Sequence, residues 1–487
     1  MMNFQSLAIV VAVGVSLAGC AVGPDFQHPR PTDAMDYRPP SATMQLAPVF
    51  GTGDEAQHIV RGAEISSRWW EAFQSPPLNA LVERALKANP NLDAARAALR
   101  VAQENAAAQR GVFWPQIGAA VTTTRQKLAD IQSSALNSNA SLYSLHTAQL
   151  SIGYMPDIFG GNRRQVEAME AQMEFQRFEF EAARLTIASN VVLAAIQEAA
   201  LHGQIDATEK IVAFDAELLA LTRRQRALGA VPELTVLSQA ALLAQAQATL
   251  PPLRKQFLQN RDLLVALAGD LPNHVPEEPF EFAALQLPHE LPLSLPSRLV
   301  EQRPDVLAAE AQAHSASALV GVAFADMLPQ FNLSADFGSV AAHMGDLFKA
   351  GAGFWTMAGS VAQPIFQGGA LSHRKAAAEA GYEQAMAQYR ATLIAAMQNV
   401  ADTLHALEQD AETERKALVA EQAIARSLDI SYRQVELGDI SHLALLNAEQ
   451  AYLQAQIGLV QSRANRYADT VALFQALGGG WWTELAS

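Results

Sequence analysis

The chain has 487 residues, of which 50% are hydrophobic, 17% charged and 7% aromatic, and its formal net charge is −15 at pH 7. This composition does not suit an intrinsically disordered protein, and the negative charge argues against a nucleic-acid partner because phosphate binding needs a basic surface. The single cysteine, Cys20, excludes an intrachain disulfide.

The N-terminus has the features of a lipoprotein signal. Residues 7–18 form a largely apolar run, which matches a signal-peptide core and is too short to span a bilayer as a helix. The run leads into Leu17-Ala18-Gly19-Cys20, which resembles a bacterial lipobox, in which the cysteine carries a diacylglycerol. We therefore predict a signal peptide over 1–19 and a covalent lipid on Cys20, and Ala21 favours sorting to the outer membrane. No later stretch reaches about 18 uninterrupted apolar residues, so we expect no membrane-spanning helix.

The remainder of the chain is duplicated. Seven residues recur 214 positions later without a gap: Pro90, Ala94, Ala95, Ala97, Ala102, Pro115 and Gln116 return as Pro304, Ala308, Ala309, Ala311, Ala316, Pro329 and Gln330. A second match, at a spacing of 209, joins Leu228-Gly229 to Leu437-Gly438. We predict two structural repeats, 76–269 and 298–479. An extended N-terminal arm over 20–75, a linker over 270–297 and a tail over 480–487 complete the chain.

Each repeat contains one predicted β-hairpin, over 116–156 and over 330–364. The preceding helix must stop before a proline, Pro115 or Pro329, after which the apolar period changes from 3.6 to 2. Apolar side chains at 331, 333, 335 and 337, for example, alternate with small or polar ones. One apolar and one polar face is what a transmembrane β-barrel requires, and a soluble half-buried sheet gives the same pattern.

A helical hairpin follows each pair of strands, over 162–268 and over 370–477. No proline occurs between Asn162 and Leu228 or between Ala370 and Leu437, so each stretch predicts one helix of roughly 100 Å. In the second of these helices ten side chains form a stripe with an eleven-residue period, which predicts a nearly straight helix: Ala378, Tyr382, Ala385, Tyr389, Leu393, Ala396, Val400, Leu404, Leu407 and Ala411. Pro251-Pro252 should interrupt the first return helix, whereas Val460-Gln461 should leave the second intact.

Both long helices are predicted to end in a tight turn. Gly229 and Gly438 can adopt the left-handed conformation that terminates a helix. Pro232 and Ser441 are residues that commonly begin one, so the chain should restart there in the opposite direction.

The predicted fold is therefore α+β and mostly α, internally duplicated, with two long antiparallel helical hairpins and four strands. Four strands cannot close a barrel, and an open sheet edge is not tolerated in lipid. If the strands span a membrane, several chains must pool them. Two chains would give eight strands with a filled interior, and three would give twelve with room for a lumen. Sequence physics leaves both numbers open.

These features together resemble the outer membrane factors of the TolC and OprM type, especially their lipoprotein branch. The resemblance rests on the lipobox, Gly23-Pro24-Asp25-Phe26, Trp69-Trp70-Glu71-Ala72-Phe73, the duplicated order of elements and the Leu-Gly turns. It implies a homotrimer in which twelve strands form a β-barrel in the outer membrane and the helical hairpins form an α-barrel through the periplasm. Such trimers are the exit ducts of tripartite efflux pumps, whose other parts are a periplasmic adaptor and an inner-membrane transporter.

The resemblance also implies functional sites at the two turns. Adaptor docking is expected at eight residues: Leu228, Gly229, Val231, Pro232, Leu437, Gly438, Ile440 and Ser441. The family's periplasmic gate lies just after the second turn, where Leu443 matches a constricting leucine and Asn447 replaces a common aspartate. A ring of three amides binds cations less strongly than a ring of carboxylates. Asp439 and Glu449 are the nearest other sources of charge, and ordinary helix packing is the alternative explanation of Leu443.

No motif predicts catalysis or metal binding. The eleven histidines include no pair at metal-ligand spacing with a neighbouring acid, and the chain has no His-Glu-x-x-His, phosphate loop or Gly-x-Ser-x-Gly elbow. We therefore predict a channel that is not an enzyme, with no metal and no cofactor beyond the lipid. Two alternatives stay open: an outer-membrane duct for type I protein secretion, and a non-conducting periplasmic adaptor or structural lipoprotein. Adaptors of that kind normally carry one helical hairpin flanked by all-β domains.

Overall fold

The structure, a computed structural model, describes residues 21–29, 57–129, 141–273, 278–294 and 296–483. The predicted signal peptide, Cys20 and residues 30–56 of the predicted arm lie outside the described residues. The helices are α1 (Pro76–Ala88), α2 (Pro90–Arg110), α3 (Gly161–Ala227), α4 (Glu233–Leu267), α5 (Pro296–Gln302), α6 (Pro304–Ala325), α7 (Ala370–Leu437) and α8 (His442–Ala476). The strands are β1 (His58–Arg61), β2 (Gln116–Lys127), β3 (Leu142–Tyr154), β4 (Glu290–Leu293), β5 (Gln330–Ala341) and β6 (Gly353–Ala362).

Both repeats run through the same series of elements. Two helices, a β-hairpin and a helical hairpin make up each of them, from α1 to α4 and from α5 to α8. Several helices begin with proline, whose missing N–H costs nothing in the first turn. The two long predicted helices are confirmed: α3 has 67 residues and α7 has 68.

The eleven-residue stripe of α7 is a packing face, and the straightness predicted from its period stays a prediction. Six of its ten side chains are buried: Tyr389, Ala396, Val400, Leu404, Leu407 and Ala411. The other four are half-buried: Ala378, Tyr382, Ala385 and Leu393. Because the stripe continues over nine helical turns, it holds one face of α7 against the protein along much of its length.

The predicted break at Pro251-Pro252 is wrong, since α4 runs through both prolines. Proline at these positions removes the N–H groups that would bond the carbonyls of Gln247 and Ala248. Both of these residues are exposed, so their carbonyl oxygens can accept hydrogen bonds from water. The hydroxyl of Thr249 donates to the Ala246 carbonyl at 2.7 Å in the same turn. Solvent access therefore lowers the cost of the prolines enough for the helix to continue.

The four predicted strands form one antiparallel sheet in the order β2-β3-β5-β6. The two hairpins have matching registers, because Gln116 pairs with Gly153 and Gln330, 214 residues later, pairs with Ala362. In the middle of the sheet Leu150 faces Phe337, which joins the repeats. Within the described chain, β2 and β6 are edge strands with one unpaired side each.

Two further strands were missed by the sequence prediction. β1 lies in the predicted arm and β4 in the predicted linker, and they pair in parallel from His58 with Glu290 to Arg61 with Leu293. Each has only four residues, and β4 contains Pro292, which argues against a strand when read from sequence. The pairing succeeds because Leu291 and Leu293 are buried on one side of this small sheet.

The chain separates into two compact units, each built from both repeats. Of the described residues, the first contains 21–28, 99–129, 141–176 and 309–389, and it includes the four-stranded sheet. The second contains 29, 57–98, 177–273, 278–294, 296–308 and 390–483, and it includes the two-stranded sheet and the turns between the long and return helices.

Among the described residues one helix, α3, contains an 18-residue window that could cross a membrane by length and composition. The sequence expectation overlooked this window because polar residues interrupt it. Of the window, 67% is buried inside the protein, as in the core helix of a soluble fold. Its apolar side chains are therefore used in packing between helices.

Candidate functional site

The two turns between long and return helices have the same backbone geometry. Gly229 has φ of 75° and Gly438 has φ of 77°, the left-handed conformation that glycine adopts without a steric penalty. In each turn the glycine N–H donates to the carbonyl three residues earlier, and the next N–H donates to the carbonyl five residues earlier, at 2.8–3.0 Å. These two hydrogen bonds in each turn satisfy the last carbonyls of α3 and α7, and they confirm the predicted helix ends.

The return helices start differently in the two repeats. Ser441 is the N-cap of α8, as predicted, and its hydroxyl accepts a hydrogen bond from the Ala444 N–H at 3.3 Å. Pro232 stands at the corresponding position of α4, with an extended backbone and no side-chain cap. In its place, Arg226 and Glu233 form an ion pair across the first turn at 3.2 Å.

The predicted docking residues form two exposed surfaces. Six are exposed: Leu228, Gly229, Pro232, Leu437, Gly438 and Ser441; Val231 and Ile440 are half-buried. The leucine in each turn is the most open apolar side chain, 85% exposed for Leu228 and 76% for Leu437. Exposed apolar side chains that cluster in this way usually mark a surface that contacts another molecule. Docking stays a prediction for all eight residues.

The two turns also differ in charge, which the sequence prediction did not use. The last turns of α3 carry the exposed residues Arg223 and Arg224. The last turn of α7 has no basic residue, and Glu436 and Asp439 are exposed there. The first turn is therefore the more basic surface and the second the more acidic one.

The predicted gate residues lie on one exposed face of α8. Leu443 and Asn447 are one helical turn apart, and Leu443 is 48% exposed. The core position of this part of α8 is Leu445, which is buried. Leu443 is thus not a core residue of the single chain, and its role as a gate stays a prediction.

The two other candidate charges near the gate have different surroundings. Asp439 is exposed, whereas Glu449 is 3% exposed and accepts a hydrogen bond from the Tyr432 hydroxyl. Burial raises the pKa of Glu449, the bond from Tyr432 opposes this rise, and the negative charge of Glu217 on α3 adds to it. The same bond raises the pKa of Tyr432 to about 12. Sequence reasoning missed Tyr432 and Glu217, because helical facing depends on how the hairpins pack.

A second buried carboxyl lies in the first hairpin. Asp215 on α3 is 6% exposed, and its Oδ1 accepts a hydrogen bond from the Gln239 amide on α4 at 3.2 Å. Burial raises the pKa of this carboxyl, and the Gln239 bond lowers it by less. Among the described residues no Lys, Arg or His forms an ion pair with Asp215 or Glu449.

The four-stranded sheet has one apolar face and one polar face. Large apolar side chains of one face are exposed on all four strands: Ile117, Val121, Leu150, Leu333, Phe337, Trp355, Met357 and Val361. On the other face the Ser151 hydroxyl donates to Asp336 Oδ1 at 2.6 Å and accepts from the Gln149 amide at 3.1 Å. The side chains therefore alternate between an environment that suits lipid and one that suits water.

The segment that follows Cys20 is fixed to the first compact unit. The Val22 N–H donates to the Phe159 carbonyl at 2.9 Å, and the guanidinium of Arg164, nearly buried, donates to the Val22 carbonyl and to Asp25. The ring of Phe26 stacks on His314 with centroids 4.5 Å apart. A lipid on Cys20 would therefore be attached two residues before Val22, where this fixed segment begins.

No candidate metal centre is found in the described ranges, where no three His, Cys, Asp or Glu side chains are grouped to hold an ion. Neither do the described cavities suggest a catalytic constellation. The candidate functional surfaces of the described chain are the sheet faces, the two turns and the neighbouring exposed face of α8.

Comparisons with known proteins assign a family. The family described as "Outer membrane efflux protein" matches residues 81–270 and 295–479, one range in each repeat. The chain is 29% identical over 462 residues to the pyoverdine export outer membrane protein OpmQ of Pseudomonas putida, covering 92% of this chain and 95% of OpmQ. It is 28% identical over 477 residues to the outer membrane protein OprJ of Pseudomonas aeruginosa, covering 96% and 95% of the two chains. The solved outer-membrane channel OprN superposes with a TM-score of 0.82 at 25% identity, over 95% of this chain and 100% of that one.

Proposed function

Because the chain belongs to the outer membrane efflux protein family, we propose that three copies of it form the exit duct of a tripartite efflux pump. An outer-membrane location and a role in efflux come with the family. The number of copies, the adaptor, the inner-membrane transporter and the lipid anchor are proposals, which the geometry supports as follows.

The open edges of the four-stranded sheet carry the proposal. β2 and β6 each leave one row of N–H and C=O groups unpaired within the described chain, and the apolar face of the sheet is exposed. Lipid does not tolerate such edges, so a membrane-spanning sheet of this kind must close by pairing with other copies. Three copies give twelve strands and a water-filled lumen, whereas two would give eight with a filled interior.

The internal repeat supports one register for the proposed pairing between neighbouring copies. In the chain, β3 of the first repeat pairs with β5 of the second, with Ile152 opposite Ala335. The residue 209 positions after Ile152 is Val361 of β6, and the residue 214 positions before Ala335 is Val121 of β2. If neighbouring copies pair as the two repeats do, Val361 therefore lies opposite Val121 of the next copy. Both side chains then lie on the apolar face, so the closed barrel keeps one face towards lipid.

The proposed protein partners are argued from the two exposed turns, and the proposed cargo is argued from the similar proteins. We propose that a periplasmic adaptor docks on the two exposed turns and joins the duct to an inner-membrane transporter, which supplies the energy. Since OpmQ is named for the export of pyoverdine, the proposed cargo is a small organic molecule. Leu443 and Asn447 would narrow the periplasmic entrance, and no enzymatic activity is proposed.

The lipid on Cys20 would act as an additional anchor. Its proposed place follows from the segment 21–26, which is held against the turn between β3 and α3. There an acyl chain would start beside the end of β3, where the apolar-face side chains of Ile152 and Tyr154 are half-buried. The two alternatives are not favoured: the similar proteins are efflux or export proteins, and a two-hairpin chain with a four-stranded sheet is unlike a one-hairpin adaptor.

Conductance measurements test the proposed duct. The full-length protein, reconstituted in planar bilayers, should carry a small current that rises several-fold in Leu443→Ala and in Asn447→Ala, because both changes widen the entrance. Leu228→Ala in the first turn is the matched control, and it should leave the current unchanged. A protein that inserts as a trimer and conducts in none of these variants would contradict the channel.

A further inference from the structure

A groove runs along the two helical hairpins, and all of it lies within the second compact unit. Its floor is α3, where Thr208 and Ile211 are buried, and its walls are α4 and α8. The larger part is a cavity of about 910 Å³, which is within the ~300–1,000 Å³ that small-molecule sites occupy. A smaller part of about 500 Å³ lies between the same three helices. Between the two parts, the Gln204 amide of α3 donates to the side-chain carbonyl of Gln461 on α8 at 3.1 Å.

The lining of the groove is polar and carries no ionisable group. Among the described residues that line either part, none is Asp, Glu, Lys, Arg or His, although 17% of the chain is charged. Glu209 and Arg254 neighbour this lining in sequence, and they form an exposed ion pair with each other at 2.7 Å. A charged ligand would lose hydration in the groove without gaining a counter-charge, so the lining favours uncharged ligands. The polar side chains of the larger part are carboxamides and hydroxyls: Thr208, Gln245, Thr249, Gln256, Gln450 and Gln454.

One backbone acceptor in the groove has no partner in its helix. Pro252 has no N–H, so the Ala248 carbonyl lacks the bond that it would otherwise accept from four residues later in α4. Ala248 and Pro252 both line the larger part, which places this carbonyl on the groove side of α4. Pro251 frees the Gln247 carbonyl in the same way, but neither of these two residues lines the groove. A ligand with an O–H or N–H group can donate to the Ala248 carbonyl in place of water.

The groove opens on the face of α8 that carries the proposed gate residues. Gln454 lies eleven residues after Leu443, and Gly458 lies eleven residues after Asn447. Eleven residues make three helical turns, so each pair lies on one face of α8. Gln454 and Gly458 are exposed and line the larger part of the groove. If Leu443 and Asn447 face the duct, the groove therefore faces it as well.

We propose that this groove is a binding site on the wall of the duct for uncharged amphipathic molecules that carry hydroxyl or amide N–H groups. Their polar groups bond the Ala248 carbonyl and the carboxamides of Gln245 and Gln454, and their apolar part packs on Leu242 and Ile457. Charged molecules pass the groove, because no counter-charge holds them there. Since the site lies on the proposed duct, its role in the transit of cargo rests on the proposed function.

Photolabelling of the full-length protein in lipid nanodiscs tests the site without any need for conduction. The probe is an octyl chain that carries a diazirine and ends in a primary carboxamide, and two matched probes end in a carboxylate or a trimethylammonium group. Mass spectrometry should find the carboxamide probe mainly on the residues of α4 and α8 that line the groove. This labelling should saturate with concentration, and either charged probe should label the same residues several-fold less.

The two adjacent prolines provide a matched pair of variants. Pro252→Ala returns an N–H donor to the Ala248 carbonyl, so it removes one acceptor from the groove. It should raise the carboxamide-probe concentration at half-saturation about two- to tenfold, as the loss of one hydrogen bond does. Pro251→Ala makes the same change at the Gln247 carbonyl, which lies outside the groove, and should leave labelling unchanged.

A change of charge in the lining should change which probe binds. Gln454→Glu places a carboxylate in the groove and should raise labelling by the trimethylammonium probe several-fold. Gln422→Glu adds the same charge at an exposed position of α7 outside the groove, and it should leave the preference for the carboxamide probe as it is.

Equal labelling by the three probes, or equal loss of labelling in Pro252→Ala and Pro251→Ala, would overturn the site. In planar bilayers the carboxamide probe should reduce the current of Leu443→Ala over the concentrations that saturate labelling. Labelling without such a reduction in a conducting protein would overturn the position of the site in the duct. A protein that labels as expected and never conducts would instead contradict the proposed duct and leave the site intact.

Discussion

The second helices of the two repeats, α2 and α6, share a sequence pattern and have opposite surroundings. Ala308 and Ala311 of α6 are buried, whereas their counterparts in α2, Ala94 and Ala97, are exposed. α6 lies against α3 of the preceding repeat, where the Ser315 hydroxyl donates to the Ala168 carbonyl at 3.1 Å. The equivalent of Ser315 in α2 is Val101, a large apolar side chain that is 60% exposed.

The long helices show the complementary difference. Ala168 and Ala171 of α3 are buried, whereas the residues 209 positions later on α7, Ala377 and Ala380, are exposed. Each repeat therefore has a helix face shaped to receive the next repeat, and only the first face is covered within one chain. In the proposed trimer the uncovered α7 face would pack against the uncovered α2 face of the next copy, as the strand edges would. The exposed faces of α2 and α7, which are covered in the other repeat, thus mark the proposed subunit interface.

The largest effect is expected from placing a charge on the two equivalent alanines. Ala308→Glu would bury a carboxylate without a partner and should lower the free energy of unfolding by about 3 kcal/mol or more. Ala94→Glu should change the unfolding of the single chain by less than about 0.5 kcal/mol and abolish the trimer. Urea unfolding in detergent and the heat-resistant band on unboiled gels measure the two effects. Equal destabilisation of the chain by both variants would remove the distinction between the helices.

A proline exchange between the return helices should have a smaller effect. Val460 of α8 corresponds to Pro251 of α4, and it contacts Gly203 on α3. Val460→Pro removes an interior helix bond and this contact, so it should cost about 3 kcal/mol. Pro251→Val should leave stability unchanged or raise it slightly. It returns a helical N–H donor to the Gln247 carbonyl, which is already exposed to water. Thermal unfolding of both variants decides this, and a large loss of stability in Pro251→Val would show that the proline is needed.

The smallest effect on stability and the most selective one on function is expected at the gate. Asn447→Asp restores a ring of carboxylates and should strengthen block of the current by multivalent cations such as hexaamminecobalt severalfold. Ser238→Asp changes the equivalent exposed position of α4 and is the matched control. Titration of the current with the cation measures both. If Ser238→Asp produced equal block, the entrance would be formed by both repeats and not by the second alone.

The sequence predicted those parts of the fold that local patterns determine. The absence of proline gave α3 and α7, the period of two gave the strands of the large sheet, and Gly229 and Gly438 gave the turns. The β1–β4 pair was missed because four-residue strands gain their stability from contacts far apart in sequence. The continuity of α4 was missed because solvent access to carbonyls is a tertiary property.

The candidate site shows the same limit. The two turns were located from glycine and helix-cap residues, which act within a few positions of the chain. The burial of Glu449 and Asp215 could not be read from sequence, because it depends on which faces of four helices meet. Asp439 and Glu449 are equally plausible charges in the sequence, and only packing separates the exposed carboxylate from the buried one.

Closure of the barrel between copies is tested most directly by disulfide cross-linking of the proposed β6–β2 pair. The natural chain has one cysteine, Cys20, so Val121→Cys with Val361→Cys introduces one reactive pair per interface. Val121→Cys with Ser360→Cys is the control, because residue 360 lies on the opposite face of the sheet. The account predicts that oxidation of the first variant in membranes yields a covalent species of three chains, and that the control yields far less. A largest product of two chains, or equal cross-linking of the two variants, would contradict it.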